Sequence, residues 1–299
     1  MARITSMPGA EIGIIGGSGL YAIDGMEALR EVRVRTPFGA PSDSLMLGKL
    51  GGVRIAFLSR HGRGHRLSPT EINYRANIYA LKSIGVSSVI SVSAVGSMKE
   101  GIKPGDMVLP DQFIDLTKHR AGSFFGRGAV AHVAFAEPIC RVLSEALLKA
   151  TRRAGATAHA GGTYVCIEGP QFSSRAESVL YRQWGVDVIG MTNLPEAKLA
   201  REAELCYATL ALVTDYDCWH ESEETVTVEM ILATLHKNVE AAKRVLRAVV
   251  PGAAGSSSCA CRRALSQAIV TDPRAIPPPA RKQLGLLIGK YLPSPKGRR

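Results

Sequence analysis

Two aspartates, Asp215 and Asp217, stand one residue apart in Val213-Thr214-Asp215-Tyr216-Asp217-Cys218-Trp219, just after an apolar run. If extended geometry persists there, residues i and i+2 point to one side. Two such carboxyls beside a flat heterocycle divide the work. One holds a proton that it can hand over, and the other accepts hydrogen bonds. Burial and a like-charged neighbour both raise a carboxyl pKa and so favour the proton-holding form. A second cluster is Ser59-Arg60-His61-Gly62-Arg63-Gly64-His65. Arg60 offers a planar fork of donors suited to phosphate oxygens, and His61 is expected to add another donor. His61 and His65 are spaced i,i+4, but the glycines between them argue against a helix and no carboxylate adjoins them. Zinc is therefore not expected here.

Four further clusters are built from small residues. Gly13-Ile14-Ile15-Gly16-Gly17-Ser18-Gly19 imitates the start of a dinucleotide fingerprint. That fingerprint also needs an acidic residue at the end of the next strand, where Arg33-Val34-Arg35-Thr36 stands instead. What remains is a turn whose backbone N–H groups and Ser18 hydroxyl make an anion-binding nest. Ser91-Val92-Ser93-Ala94-Val95-Gly96-Ser97 supplies hydroxyl donors and room for a ligand, without a base for a nucleophilic serine. In Ile167-Glu168-Gly169-Pro170-Gln171-Phe172-Ser173-Ser174, Phe172 is placed to wall a flat ligand. Gly190-Met191-Thr192-Asn193 closes a strand just before a helix cap. Each cluster alone reads equally as a tight turn or a solvated loop, but six at successive strand ends do not.

The elements that must position them are short apolar runs at 11–17, 53–59, 86–93, 107–109, 163–167, 186–190 and 207–213. Most are continuous rather than alternating, as in strands covered on both faces. Ser68-Pro69-Thr70-Glu71 is a capping box and predicts a helix to about residue 84. The stretch 136–153 is amphipathic, and Ser174-Arg175-Ala176-Glu177 is a second capping box with a helix to about residue 184. Asn193 is read as the cap of a helix over 193–205, and 227–249 is the longest helix, stopping at Pro251-Gly252. Alternating strands and helices predict a three-layer α/β domain. In open α/β sheets ligands bind at the carboxyl ends of the strands, which is where the six clusters fall.

The 299 residues are 46% hydrophobic and 21% charged, which excludes a disordered tail protein, a coiled coil and a disulfide miniprotein. No run nears the roughly 20 apolar residues of a membrane span, and no signal-like apolar region follows the N-terminus. A cytoplasmic location and no membrane partner are expected. The net charge of +11 suits either nucleic acid or small anions. The basic residues are scattered except for Lys296, Arg298 and Arg299, and no nucleic-acid motif is visible, so no nucleic-acid partner is expected. Cys140, Cys166, Cys206 and Cys218 sit among apolar neighbours and read as core thiols. Cys259 and Cys261 form a C-x-C pair, open to reading as a redox disulfide, half a metal site or coincidence.

Taken together, GIIGGSG (13–19), TPFGAPSD (36–43), RHGRGH (60–65), NYRANI (73–78), SAVGS (93–97), PGDMVLPDQFID (104–115), EGPQFSSRAE (168–177), GMTNLPEAKLAREAELCYA (190–208) and TDYDCW (214–219) carry a resemblance. The chain resembles the trimeric purine nucleoside phosphorylase family, in its 5′-methylthioadenosine-cleaving branch. The resemblance implies a single domain with a central mixed, largely parallel sheet flanked by helices. Its parts would be a tail over 1–10, a catalytic domain over 11–250 and an extension over 251–299 packed on the same domain. It implies phosphorolysis of 5′-methylthioadenosine to adenine and 5-methylthioribose 1-phosphate, a pentosyl transfer in purine and methionine salvage. A broader enzyme that also accepts adenosine or 6-oxopurine nucleosides is the alternative.

By the same resemblance, Ser18, Arg60, His61, Ser93, Ala94 and Thr192 would hold phosphate. Met191 would contact the ribose beside Phe172, and Asp215 and Asp217 would face the purine as the catalytic pair. Ser173, Val228 and His132 would tune specificity, His132 by shaping a neighbour's pocket in a homotrimer or a dimer of trimers. The resemblance implies no metal and no cofactor, with inorganic phosphate as co-substrate.

Overall fold

Short runs of branched apolar residues become strands where both faces can be covered. The computed structural model describes residues 9–17, 20, 23, 25–220, 228–253 and 259–293. Within them the strands are β1 (Ile12–Gly16), β2 (Glu27–Val32), β3 (Leu45–Leu50), β4 (Val53–Ser59), β5 (Ser88–Ser97), β6 (Met107–Leu109), β7 (Gln112–Asp115), β8 (Ala158–Ala160), β9 (Thr163–Cys166), β10 (Val188–Gly190) and β11 (Cys206–Asp215). The helices are α1 (Tyr74–Ser83), α2 (Arg141–Arg153), α3 (Arg175–Gln183), α4 (Asn193–Glu202), α5 (Val228–Ala253) and α6 (Pro278–Ile288).

All strands join one mixed sheet in the order β2-β3-β4-β1-β5-β10-β9-β7, with β11 added to β5, β6 to β11 and β8 to β6. The central pairings of β1 with β4 and β5, and of β11 with β5, are parallel. Every residue of β1 is buried, as is all of β11 up to Asp215, because helices flank the sheet. Helices α2 and α5 pack on β11 and on each other, while α1 and α4 pack together, with α4 also against β5 and β11. Residues Leu265, Ile276, Leu284 and Ile288 of the C-terminal segment are buried in the same hydrophobic core.

Several expectations are corrected. The helix expected from Ser68 opens at Tyr74 instead. Ser68 and Glu71 do make a local turn, with Glu71 Oε2 accepting from the Ser68 N–H at 2.9 Å and its hydroxyl at 2.7 Å. The cap is Asn73, which accepts from the Ala76 N–H and donates to the Phe38 carbonyl at 2.8 Å, a tertiary tie no local motif announces. Helix α2 starts at Arg141 rather than 136, after Pro138. The capping box at Ser174–Glu177 is present in α3 as read. Thr192, not Asn193, takes the N-cap position of α4, and Asn193 is fully buried with its amide donating to Thr209. Helix α5 runs to Ala253, past the stop expected at Pro251. Strands β2, β3, β7 and β8 are additional to the runs read from the sequence. Strand β2 is an exposed edge pairing only with β3, so it shows no apolar pattern.

Candidate active site

The site begins as a gap in the sheet. One edge of β5 is held by β11 from Ser88 to Gly96. On the other edge β1 covers Ser88–Ser91 and β10 covers Gly96 and Ser97. Between them the backbone of residues 92–95 carries no strand. This is the point at which the sheet divides, where a ligand can reach a stretch of β5 that no neighbouring strand covers on this edge. Ala94 is exposed there although Ser93 and Val95 on either side are buried. A cavity of about 680 Å³ opens at the gap, of a size that suits a nucleoside-sized ligand. It is lined by Arg60, His61, Ser93, Ala94, Phe172, Ser173, Met191, Thr192, Asp215 and Asp217, so ten of the residues singled out in the sequence meet in one space.

One part of the cavity is built for an anion. The hydroxyls of Ser93 and Thr192 lie 3.3 Å apart on different elements, β5 and the N-cap of α4. The backbone is extended again at Leu194 (φ −118°, ψ 136°), so the regular turns of α4 begin only after it. Arg60 follows β4, is 2% exposed and makes a buried ion pair with Glu196 of α4 at 2.9 Å. Its guanidinium also donates to the Val92 carbonyl at 2.9 Å and to Ser91 at 2.6 Å. Burial alone would lower its pKa, but the Glu196 carboxylate outweighs that and keeps the cation charged. Arg60 is thus first a brace between β4, β5 and α4, and it also lines the cavity.

His61 also lines the cavity, with one ring nitrogen already engaged. Its Nδ1 lies 2.8 Å from the Leu67 carbonyl, which can only accept, so Nδ1 carries the hydrogen. Burial, against that hydrogen bond and with the help of Arg60, His65 and Arg120, pushes the imidazole pKa down to about 4. The ring is neutral at pH 7, and its Nε2 presents a lone pair rather than a donor.

Another part holds the carboxyls. The chain does not stay extended after Asp215: Asp217 has φ +55° and opens a short 3₁₀ turn. The two aspartates meet because the turn folds them together, with the Asp217 N–H donating to Asp215 Oδ1 at 2.8 Å. Thr214 donates to Asp215 Oδ2 at 2.6 Å. Asp217 accepts from Ser173 at 2.9 and 3.0 Å and from Ser178 at 2.5 Å. Gly96 is required beside them, since a Cβ there would lie 2.9 Å from Asp215 Oδ1. Ser173 therefore acts on Asp217, and Ser178, from the second turn of α3, was not read as a site residue at all.

A further missed group joins the walls. Arg120 is buried and donates to the backbone carbonyls of Glu168, Met191 and Leu194 at 2.5, 2.5 and 2.8 Å. It also pairs with the Glu168 carboxylate at 3.2 Å. Although burial raises the Glu168 pKa, the Thr70 hydroxyl, the Lys118 and His119 N–H groups and Arg120 hold it to about 2. The Phe172 loop and the Met191 turn are thereby tied to one cation. Phe172 itself is 56% exposed at the rim. The only sequence signal for Arg120 is its place near a motif, because its partners are distant backbone atoms.

Of three further residues read from the sequence, one lies outside the described residues, as does the side chain of a second, and the third does not line the cavity. Ser18 and the side chain of Val228 lie outside the described residues. His132 is exposed, bonds through its N–H to the Ala268 carbonyl at 2.8 Å and does not line this cavity. The C-x-C pair does not line this cavity either, and Cys259 and Cys261 are not bridged to each other.

Comparison with known proteins agrees with the geometry. A family model described as the phosphorylase superfamily matches residues 11–251. The chain is 58% identical over 282 residues to the S-methyl-5′-thioadenosine phosphorylase of Geobacter sulfurreducens, covering 94% of this chain and 99% of that one. Among solved structures, a methylthioadenosine phosphorylase from an antarctic soil metagenomic library superposes with a TM-score of 0.90 at 52% identity, over 94% of this chain and 99% of that one. Methylthioadenosine phosphorylase from Schistosoma mansoni in complex with adenine gives a TM-score of 0.83 at 37% identity, over 87% of this chain and 99% of that one. With a gap in the sheet, and hydroxyls and paired aspartates lining one cavity, this chain belongs to the phosphorylase superfamily.

Proposed function

We propose that this protein cleaves 5′-methylthioadenosine with inorganic phosphate, giving adenine and 5-methylthioribose 1-phosphate. The observation that carries the reading is one cavity lined by Ser93, Ala94 and Thr192 and, beside Gly96 further along β5, by Asp215 and Asp217. Phosphate is held by the hydroxyls of Ser93 and Thr192, the backbone at Ala94, Ser18 and the positive charge of Arg60. The lone pair of His61 Nε2 takes a hydrogen bond from a protonated phosphate oxygen. The sugar lies over Met191 beside Phe172. As the C1′–N9 bond lengthens, positive charge develops on the ribose, and the nearby anion stabilises it before the C1′–O bond forms. Asp215 hands a proton to N7 so that adenine leaves neutral, and Asp217 accepts from the 6-amino group. The proton that HPO₄²⁻ gives up over the cycle balances the one adenine gains. The reading invokes no metal and no organic cofactor in the reaction.

The active form in this reading is a homotrimer. Val130 and Val270 are 44% and 65% exposed and flank the Ala131–Ile269 bridge beside His132. A neighbouring cavity rim, where Phe172 is exposed, would cover such an apolar edge. None of the described helices is long and apolar enough to cross a membrane, and a cytoplasmic location belongs to the same proposal.

The test is base release from methylthioadenosine, adenosine and inosine, each with and without phosphate. Adenine should appear from methylthioadenosine only with phosphate or arsenate. Equal release in phosphate-free buffer would replace this reading with hydrolysis.

A further inference from the structure

Away from the cavity, four cysteines from three parts of the chain meet. Cys140 holds the N-cap position of α2, Cys206 opens β11, and Cys259 and Cys261 flank the start of the short 3₁₀ turn over Ala260–Arg263. Their sulfur atoms all lie within 4.8 Å of one another, and Cys140 and Cys259 are 3.5 Å apart. Four thiolates around one zinc ion, each at about 2.3 Å, lie about 3.8 Å from each other. The arrangement is thus near the tetrahedron that a tetrathiolate ion needs. Cys140, Cys206 and Cys261 are buried, while Cys259 is partly exposed and gives an entry path. A thiolate at Cys140 also faces the positive end of α2. The residue after Cys261, Arg262, keeps its Nε–H buried without a hydrogen-bond partner. A cluster of net negative charge next to it in the chain is the environment such a donor lacks.

We propose that Cys140, Cys206, Cys259 and Cys261 bind one zinc ion that fastens the C-terminal segment to the body of the domain. Four Zn–S bonds form, and the thiols release up to four protons to solvent. Four buried sulfurs with no oxygen or nitrogen ligand select a soft, tetrahedral ion over magnesium or calcium. The ion is structural. Cys206 and Asp215 are the two ends of β11, about 30 Å apart, so the metal touches neither phosphate nor base.

The experiment uses the full chain, purified with a non-thiol reductant, stripped of metal and titrated with zinc or cobalt. About one zinc per chain should bind, and the cobalt form should show thiolate-to-metal charge transfer with the intense visible bands of a tetrahedral site. Zinc should raise the thermal midpoint of the wild type. Cys259→Ser and Cys261→Ser should bind zinc at least about tenfold more weakly and lose that thermal response, whereas Cys166→Ala should keep both. Less than about a tenth of an equivalent of zinc on the reduced wild type would overturn the proposal. So would a cobalt spectrum without thiolate bands, or native disulfides among these four cysteines in protein alkylated before exposure to air. The cobalt spectrum is read on the wild type, so it stands even if a variant fails to fold.

Discussion

Replacing Arg60 by alanine tests whether that residue is a phosphate clamp or a brace. Read from sequence alone, Arg60→Ala should chiefly raise the phosphate KM. In the structure the guanidinium is buried against Glu196, which is itself fully buried and accepts from Ser91 and Tyr207 at 2.8 and 2.9 Å. Removing one partner of a buried pair leaves an uncompensated charge and costs about 3–5 kcal/mol. In a chain of this size each kcal/mol moves the melting temperature by roughly 2–3 °C, so Arg60→Ala should melt about 6–15 °C lower. The companion Arg60→Met with Glu196→Gln removes both charges but leaves a carbonyl to accept from Ser91 and Tyr207. It should regain at least half of the lost stability while its phosphate KM stays raised. Differential scanning fluorimetry gives the melting shift, and initial rates against phosphate well below the transition give KM. An Arg60→Ala protein that melts within about 1 °C of wild type would refute the brace, as would a double variant no more stable than the single one.

Asp215→Asn should lower kcat by roughly 10²–10⁴, since an amide has no proton to hand to N7; single-turnover adenine release measures it. Ser178→Ala removes a hydrogen bond to the Asp217 carboxylate that is worth about 1.5–3 kcal/mol, and kcat/KM should fall roughly tenfold or more with the fold intact by circular dichroism. His61 has a folded pKa of about 4 against an ordinary 6.5, so the unfolded chain binds its proton more readily. That contribution to stability is present in full above pH 6.5 and falls by up to about 3 kcal/mol as pH drops toward 4. Urea midpoints across that range should show the slope, and His61→Gln should flatten it. Adenosine and methylthioadenosine share their base and ribose edges, so discrimination rests on the 5′ pocket, and kcat/KM for methylthioadenosine should exceed that for adenosine by roughly 10–200-fold.

The strands that carry chemistry were legible because they are buried on both faces. A short apolar run ending in small, hydroxyl or charged residues marks both the strand and its functional end, as in 55–58 before Ser59-Arg60 and 210–213 before Thr214-Asp215. The α3 capping box was legible because it is closed by bonds within four residues. Edge strand β2 was not, since pairing with one neighbour demands no apolar pattern.

Local sequence likewise supplied the residue types of the site but not their partners. Only the tertiary structure sets Glu196 against Arg60 across 136 residues and turns His61 so that Leu67 takes its only hydrogen. It also folds Asp217 back under Ser173 and Ser178, where extended geometry would have left the aspartates merely parallel. The same holds for the cysteines. The sequence displays a single C-x-C pair, and Cys140 and Cys206 look like core thiols until packing places all four sulfurs together. Burial and strand ends follow from short-range pattern, whereas hydrogen-bond partners, tautomers and ligand sets depend on which distant segments the packed core makes neighbours.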